Sequence, residues 1–379
     1  MKWEKVKLGD ICKYVTSGGT PKSSIKEYYE PKQIPWLKTK EVNYCRIYET
    51  ESYISKDGLD NSSAKMIPQN SVIVAMYGQG DTAGRVAINK IPLTTNQACC
   101  NLIIDETKAY YEFVYYQLVT LYEKMVSLKN GGAQPNLNAA IIKSIEIKLP
   151  PLKTQRYIAD ILSSYDNLIE NNQKQIKLLE EAAQRLYKEW FVDLRFPGHE
   201  NTKIVDGVPE GWSRGLLKEL ISVNYGKDHK KAPDDGNIPV YGSGGLMRKC
   251  NKSLFSGEAV LIPRKGSLNN IMYVDETFWT VDTMFYATLK QPHTAVFVYF
   301  FVKAFDMYSM NIGAAVPSMT AKILDAMDVV IPDKETLEKF DKLTKTYFNK
   351  IKTLQGQNER LKIARDFLLP KLMNGEVEV

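Results

Sequence analysis

The stretches "GGAQPNLNAAIIKSIEIKLPP" (131–151) and "IGAAVPSMTAKILDAMDVVIP" (312–332) share a pattern but few residues. Set Pro135 on Pro317, 182 positions away, and the apolar positions fall into register. Leu137 meets Met319, Ala139 meets Ala321, Ile141 meets Ile323 and Ile142 meets Leu324. Ile145, Ile147 and Leu149 then meet Met327, Val329 and Ile331, and Pro150 meets Pro332. The spacing predicts one helical turn, then a short strand closed by proline, twice over.

The match continues without a gap. After Pro150, apolar or small residues recur at Ile158, Leu162, Tyr165, Ile169, Asn172, Ile176, Leu179, Ala183, Leu186 and Trp190. Steps of four and three alternate, which is a heptad seam. The same offset gives Phe340, Thr344, Tyr347, Ile351, Leu354, Asn358, Leu361, Arg365, Leu368 and Leu372. Pro370 predicts an end to this second helix near Leu369. A long apolar stripe requires a partner. Each seam holds one Asn, and two amides satisfy each other where an amide against Leu would not. Placing Asn172 opposite Asn358 in antiparallel sense brings every seam position to a seam partner. Trp190 then faces Phe340, Ala183 faces Tyr347, Leu179 faces Ile351, Ile176 faces Leu354, and Tyr165 faces Arg365.

Weaker echoes join the preceding parts. "WEKVKLGDI" (3–11) resembles "WSRGLLKEL" (212–220), "SVIVAMYG" (71–78) resembles "EAVLIPRKG" (258–266), and "FVYYQLV" (113–119) resembles "FVYFFVK" (297–303). The chain therefore reads as α+β: two strand-rich mixed α/β domains related by a pseudo-two-fold, each followed by a long helix. The two helices form an antiparallel coiled coil. "RFPGHENTKIVDGVPEGW" (195–212) reads as the linker. A length of 379 residues with 44% hydrophobic and 25% charged content suits such an arrangement. No apolar run approaches a membrane span and "MKWEKVKLGD" has no apolar signal core, so no membrane association or secretion is expected. Five Cys without a C-x-x-C pair suggest reduced thiols in a cytoplasm. The adjacent Cys99 and Cys100 of "ACCNLII" read as small buried apolar side chains.

Patterns for chemistry are missing. The three His stand in no metal-ligand spacing. "YGQGDTAG" (77–84) is followed by the strand-like "RVAIN" and reads as a hairpin rather than a nucleotide cradle. "YGSGGLM" (241–247) lacks a P-loop ending, and no aminomethyltransferase or nuclease motif is present. The chain reads as non-catalytic, with no cofactor or metal of its own. What stands out instead are basic, polar loops and a net charge of +6. The candidates for DNA contact are Thr20, Lys22, Lys38, Lys40 and Arg85 in the first half. Lys227, Lys230, Lys231, Arg248, Arg264 and Lys265 are those in the second. Cationic and amide-bearing loops suit phosphate contacts combined with base-edge hydrogen bonds.

Three stretches carry a resemblance to a known family: "GGAQPNLNAAIIKSIEIKLPPLKTQRYIADILSSYDNLI" (131–169), "RDFLLPKLMNGEV" (365–377) and "TSGGTPKSS" (16–24). The chain is similar throughout to the specificity (S) subunits of type I restriction–modification systems. One departure is "PDKETLEKFDKL" (332–343), which lacks the P-L-x-x-Q run of its counterpart. The resemblance implies target recognition domains at 1–150 and, with the linker, 195–332. Spacer helices are implied at 151–194 and 333–379. It implies that each domain reads half of a bipartite DNA site. The helices, paired through Tyr165, Asn172, Ile176, Leu179, Tyr347, Ile351, Leu354 and Asn358, act as a spacer and dock two modification subunits. Those subunits bind S-adenosylmethionine and methylate adenine, and restriction subunits join them. A stand-alone DNA-binding regulator and an enzyme in its own right are the rival readings.

Overall fold

In a computed structural model, the chain is described over residues 3–129, 136–310 and 317–377. The glycine-rich leads of the two opening stretches, including Pro135, lie outside the described residues. The chain divides into two compact units. One comprises Met1–Asn171 with Gln357–Val379, the other Asn172–Gly356.

The first unit opens with β1 (Glu4–Lys7), β2 (Cys12–Ser17), β3 (Ile34–Leu37), β4 (Cys45–Ile47) and β5 (Tyr53–Ile54). Next come α1 (Lys56–Asp60), β6 (Met66–Ile67), β7 (Val72–Ala75), β8 (Val86–Asn89), β9 (Leu93–Thr95) and β10 (Cys99–Ile104). Helices α2 (Tyr111–Thr120), α3 (Tyr122–Ser127) and α4 (Ala139–Ser144) lead to β11 (Glu146–Leu149). A five-stranded sheet runs β2-β10-β7-β8-β4, and a four-stranded one runs β5-β3-β9-β6. β1 pairs antiparallel with β11. Strands β7, β8 and β10 are buried on both faces and apolar but for Asn89 and Asn101. Their side chains alternate as the pleat demands. Val72, Val74, Val86, Ile88, Cys100 and Leu102 enter the core shared with α2. Ile73, Ala75, Ala87, Cys99 and Ile103 enter a second core on the other face. Cys99 and Cys100 are thus packing residues, and burial pushes the Cys100 thiol up to about 12.

Helix α5 (Leu152–Tyr187) begins in the first unit and ends in the second, where a π turn (Lys188–Val192) extends it. The second unit continues with β12 (Ile204–Val205), β13 (Val208–Pro209), β14 (Ser213–Leu216), β15 (Ile221–Tyr225), β16 (Ile238–Gly242) and β17 (Gly245–Cys250). Then follow β18 (Phe255–Pro263), β19 (Met272–Thr280), β20 (Met284–Leu289), α6 (Ala295–Lys303), α7 (Ala321–Asp325) and β21 (Asp328–Ile331). A six-stranded sheet runs β15-β20-β18-β19-β16-β17, and β14 pairs with β21 as β1 does with β11. The alternation recurs: Val260, Ile262, Phe285 and Ala287 face one core, Ala259, Leu261 and Met284 the other. The expected linker is ordered. An Asp206-Gly207 turn with φ of 51° and 75° closes the β12–β13 hairpin. This is the hairpin signal of an Asp-Gly pair.

Helix α8 (Lys334–Asn374) runs through Pro370 and ends five residues beyond the expected stop near Leu369. The proline forfeits one backbone bond, but the turn it sits in places Leu369, Leu372 and Met373 in the first unit's core. Gly375, with φ of 71°, terminates the helix. Within the first unit, Asn358 Nδ2 donates to Ile169 O at 3.4 Å, and Arg365 Nη1 donates to Asp166 Oδ1 at 2.5 Å. Ascending numbers on α5 meet descending numbers on α8, so the helices are antiparallel there. Within the second unit, the Trp190 and Tyr187 rings stand 5.8 and 6.4 Å from that of Phe340. Asp333 caps α8, accepting from Thr336 N–H at 2.9 Å, Thr336 Oγ1 at 2.8 Å and Trp212 Nε1 at 2.9 Å. This cap replaces the missing P-L-x-x-Q run. No helix among the described residues is long and apolar enough to cross a membrane.

Candidate nucleic-acid interface

In the first unit, the strand ends at one edge converge on the turn between β9 and β10. Cys99 N–H closes it on Asn96 O (3.1 Å), and Asn96 N–H bonds Leu37 O (2.9 Å). The loop after β2 is clasped against it: Gly18 N–H donates to Cys99 O (3.2 Å), and Gly19 N–H to Thr95 O (2.8 Å). A Cβ on Gly18 would lie 2.2 Å from the carbonyl oxygens of Thr95 and Asn96, so only glycine permits this approach. Trp36 Nε1 donates to Gly19 O at 3.0 Å, and the Lys38 ammonium lies 5.0 Å above the Trp36 ring. Thr20 hydrogen-bonds the Gln97 side chain. The structure thus brings Thr20 and Lys38 to one edge, with Lys22 on the same loop. Lys40, on a 3-10 turn, pairs with Glu51, both side chains well exposed. Arg85 follows the β7–β8 hairpin loop, as expected for that glycine-rich stretch. Its guanidinium bonds Asp81 (2.5 Å) and Asn43 (3.0 Å), and hydrogen bonding to Arg85 holds the Asp81 carboxyl below its usual range.

The second unit builds the same framework from other residues. Met284 N–H bonds Val281 O (2.9 Å), Val281 N–H bonds Tyr241 O (3.0 Å), Gly226 N–H bonds Met284 O (3.0 Å) and Lys227 N–H bonds Thr280 O (2.9 Å). A Cβ on Gly226 would lie 2.0 Å from Val281 O. Arg264 N–H bonds Thr283 O at 2.8 Å, as Met76 N–H bonds Ala98 O at 2.8 Å in the first unit. Lys227, Arg264 and Lys265 therefore gather round the turn. The Arg264 guanidinium stacks 5.5 Å from the Tyr225 ring and donates to Asp282 O at 3.2 Å. Lys230 and Lys231 form a 3-10 turn capped by Asp228. Arg248 differs from expectation: it lies in β17, not in a loop. Its terminal nitrogens bond Asp234, the carbonyls of His229 and Ala232, and Lys249 O. Little of that fork remains for a base edge.

Of the helix-pairing candidates, Asn172, Ile351, Leu354 and Asn358 are buried, while Tyr165, Ile176, Leu179 and Tyr347 are half-buried. Arg365 pairs with Asp166, the neighbour of Tyr165, and with Asp366. Two turn residues, Gln97 and Asp282, escaped the sequence reading because neither is cationic nor in a glycine-rich run. The signal lay in the repeat of "TNQAC" (95–99) by "TVDTM" (280–284), visible once the hydrogen bonds align them. Among the described residues, no group of three or more His, Cys, Asp or Glu could hold a metal ion.

The described fold matches a solved S subunit of a type I restriction–modification system from M. genitalium, with a TM-score of 0.64 and 18% identity over 98% of this chain and 96% of that one. The MjaIX specificity subunit of Methanocaldococcus jannaschii is 29% identical over all of this chain and 94% of its own length. The EcoR124I/EcoR124II specificity subunit of Escherichia coli is 28% identical over 50% of this chain and 47% of its own. The type I restriction modification DNA specificity domain matches residues 1–181 and 209–362. With a duplicated strand-rich unit, long helices and that match over most of its length, the chain belongs to the specificity subunits of type I restriction–modification enzymes.

Proposed function

We propose that each unit reads one half of a bipartite DNA site, and that the chain confers this choice on catalytic subunits it does not itself resemble. The observation that carries this reading is the paired framework: one set of main-chain bonds presents different side chains in each unit. Two frameworks of one shape with unlike surfaces suit two unlike half-sites. Lys227, Arg264 and Lys265 beside one turn, and Lys22 and Lys38 near the other, supply phosphate contacts that fix register without reading bases. Lys40, Arg85, Lys230 and Lys231 extend these surfaces, while Arg248 acts by holding its loop.

In this reading, α5 and α8 set the length of the unspecified gap and dock two modification subunits. Those subunits bring S-adenosylmethionine and methylate adenine, and restriction subunits join through them in the cytoplasm. The test is to purify the chain with its modification subunits and map methylated sites in a genome. A two-part motif with a fixed gap is the expected result. Methylation without a motif, or site-selective binding that needs no modification subunit and directs no methylation, would sink the reading. The latter outcome would instead indicate a stand-alone regulator.

A further inference from the structure

The turn at residues 96–99 carries Gln97, an exposed residue, at its tip. Thr20 donates its hydroxyl proton to Gln97 Oε1. A primary amide has two acceptor lone pairs and two N–H donors. With one lone pair committed to Thr20, a second lone pair and the amide N–H groups remain to be offered outward. That is the complement of adenine in the major groove, which offers N6–H as donor and N7 as acceptor.

The backbone beneath is equally constrained. Gly18 and Gly19 lock the Thr20 loop to the turn, and Trp36 anchors Gly19. The side chain therefore starts from a fixed place with its rotamers restricted, which lowers the ordering cost of a contact. In the second unit the same turn carries Asp282 at the corresponding tip, also exposed. Both units keep the same main-chain hydrogen bonds round this turn while its side chains change, which is what a presented reading residue requires.

We infer that Gln97 is a specificity-determining residue that reads an A·T pair in the half-site recognised by the first unit. This rests on the reading of the chain as a DNA specificity subunit. The alternative is that Gln97 merely braces the Thr20 loop.

Selection from a random duplex library with the full chain in complex with its modification subunits, followed by sequencing, separates the possibilities. The unaltered chain should select a motif. Gln97→Ala should lose discrimination at a single A·T position, on the order of 10- to 100-fold, with the other positions intact. Gln97→Glu keeps the contact with Thr20, whose hydroxyl can donate to a carboxylate. It should favour C·G at that same position, because a carboxylate accepts from cytosine N4. Unchanged preference in both variants, or an affinity loss spread evenly over all positions, would overturn the inference. A melting temperature matching the parent shows that the Glu variant is folded. If the unaltered chain selects no motif, the DNA-reading function itself fails, an outcome distinct from a motif that ignores residue 97.

Discussion

Arg248 and Arg264 are both arginines of the second unit, yet their surroundings give them opposite tasks. Arg248 ties together Asp234 and the carbonyls of His229, Ala232 and Lys249. Replacing it with Ala leaves these acceptors without their donor, and stability should fall by about 1–3 kcal/mol in a denaturant titration. Lys should not rescue it, because an ammonium lacks the planar fork. Arg264→Ala should instead leave stability within about 0.5 kcal/mol while weakening DNA binding and lowering the salt slope by about one. Equal losses of stability in the two variants would contradict this division. Asp333 makes a further case. Burial raises its carboxyl pKa, but hydrogen bonds from Thr336 and Trp212 outweigh that and hold it below the usual value. Its folded pKa thus lies under the unfolded value near 3.9, so its contribution is fully present above about pH 4 and is lost as pH falls through the folded value. Asp333→Asn should flatten that acid limb of the stability profile. A limb identical to the parent's would show that the cap carries no such linkage.

The helices depend on a few charged side chains beside their apolar seams. Asp166 on α5 accepts from Arg365 of α8 at 2.5 Å and from Tyr116 of α2 at 2.5 Å, joining three helices in the first unit. Asp166→Ala should cost about 3 kcal/mol, because a largely buried guanidinium loses its main counter-charge. The double variant with Arg365→Leu should recover part of that loss, and strict additivity in the cycle would rule out the coupling. The heptad steps revealed both helices, since burial imposes a 3.5-residue period that the sequence displays directly. The Asp166–Arg365 contact was hidden, because a position flanking the seam has no periodic signature. Pro370 misled for a related reason: propensity is local, whereas the cost of leaving Leu372 and Met373 in water depends on a core assembled from distant residues. The basic loops were legible by composition, but Gln97 and Asp282 were not, since only the folded main chain sets them at equivalent tips.

Across the molecule, the first unit is assembled from both ends of its sequence. Leu369, Leu372 and Met373 share a core with Val72, Phe113 and Ile158. Gln117 Nε2 bonds Met373 O at 3.1 Å, and a Cβ on Gly375 would lie 3.1 Å from the Trp3 ring. Deleting residues 357–379 should therefore damage the unit at the opposite end of the numbering. Limited proteolysis should then cut within residues 1–171 and spare the sheet of 213–331. Resistance throughout 1–171 would show that this unit closes without α8. The arrangement also orders events on the ribosome. The amino-terminal unit emerges first but lacks its closing turns until everything from Asn172 to Gly356 has been made. At 5–20 residues per second, that interval lasts roughly 10–40 s. Throughout it the nascent first unit lacks the apolar side chains of Leu369 and Leu372 that complete its core.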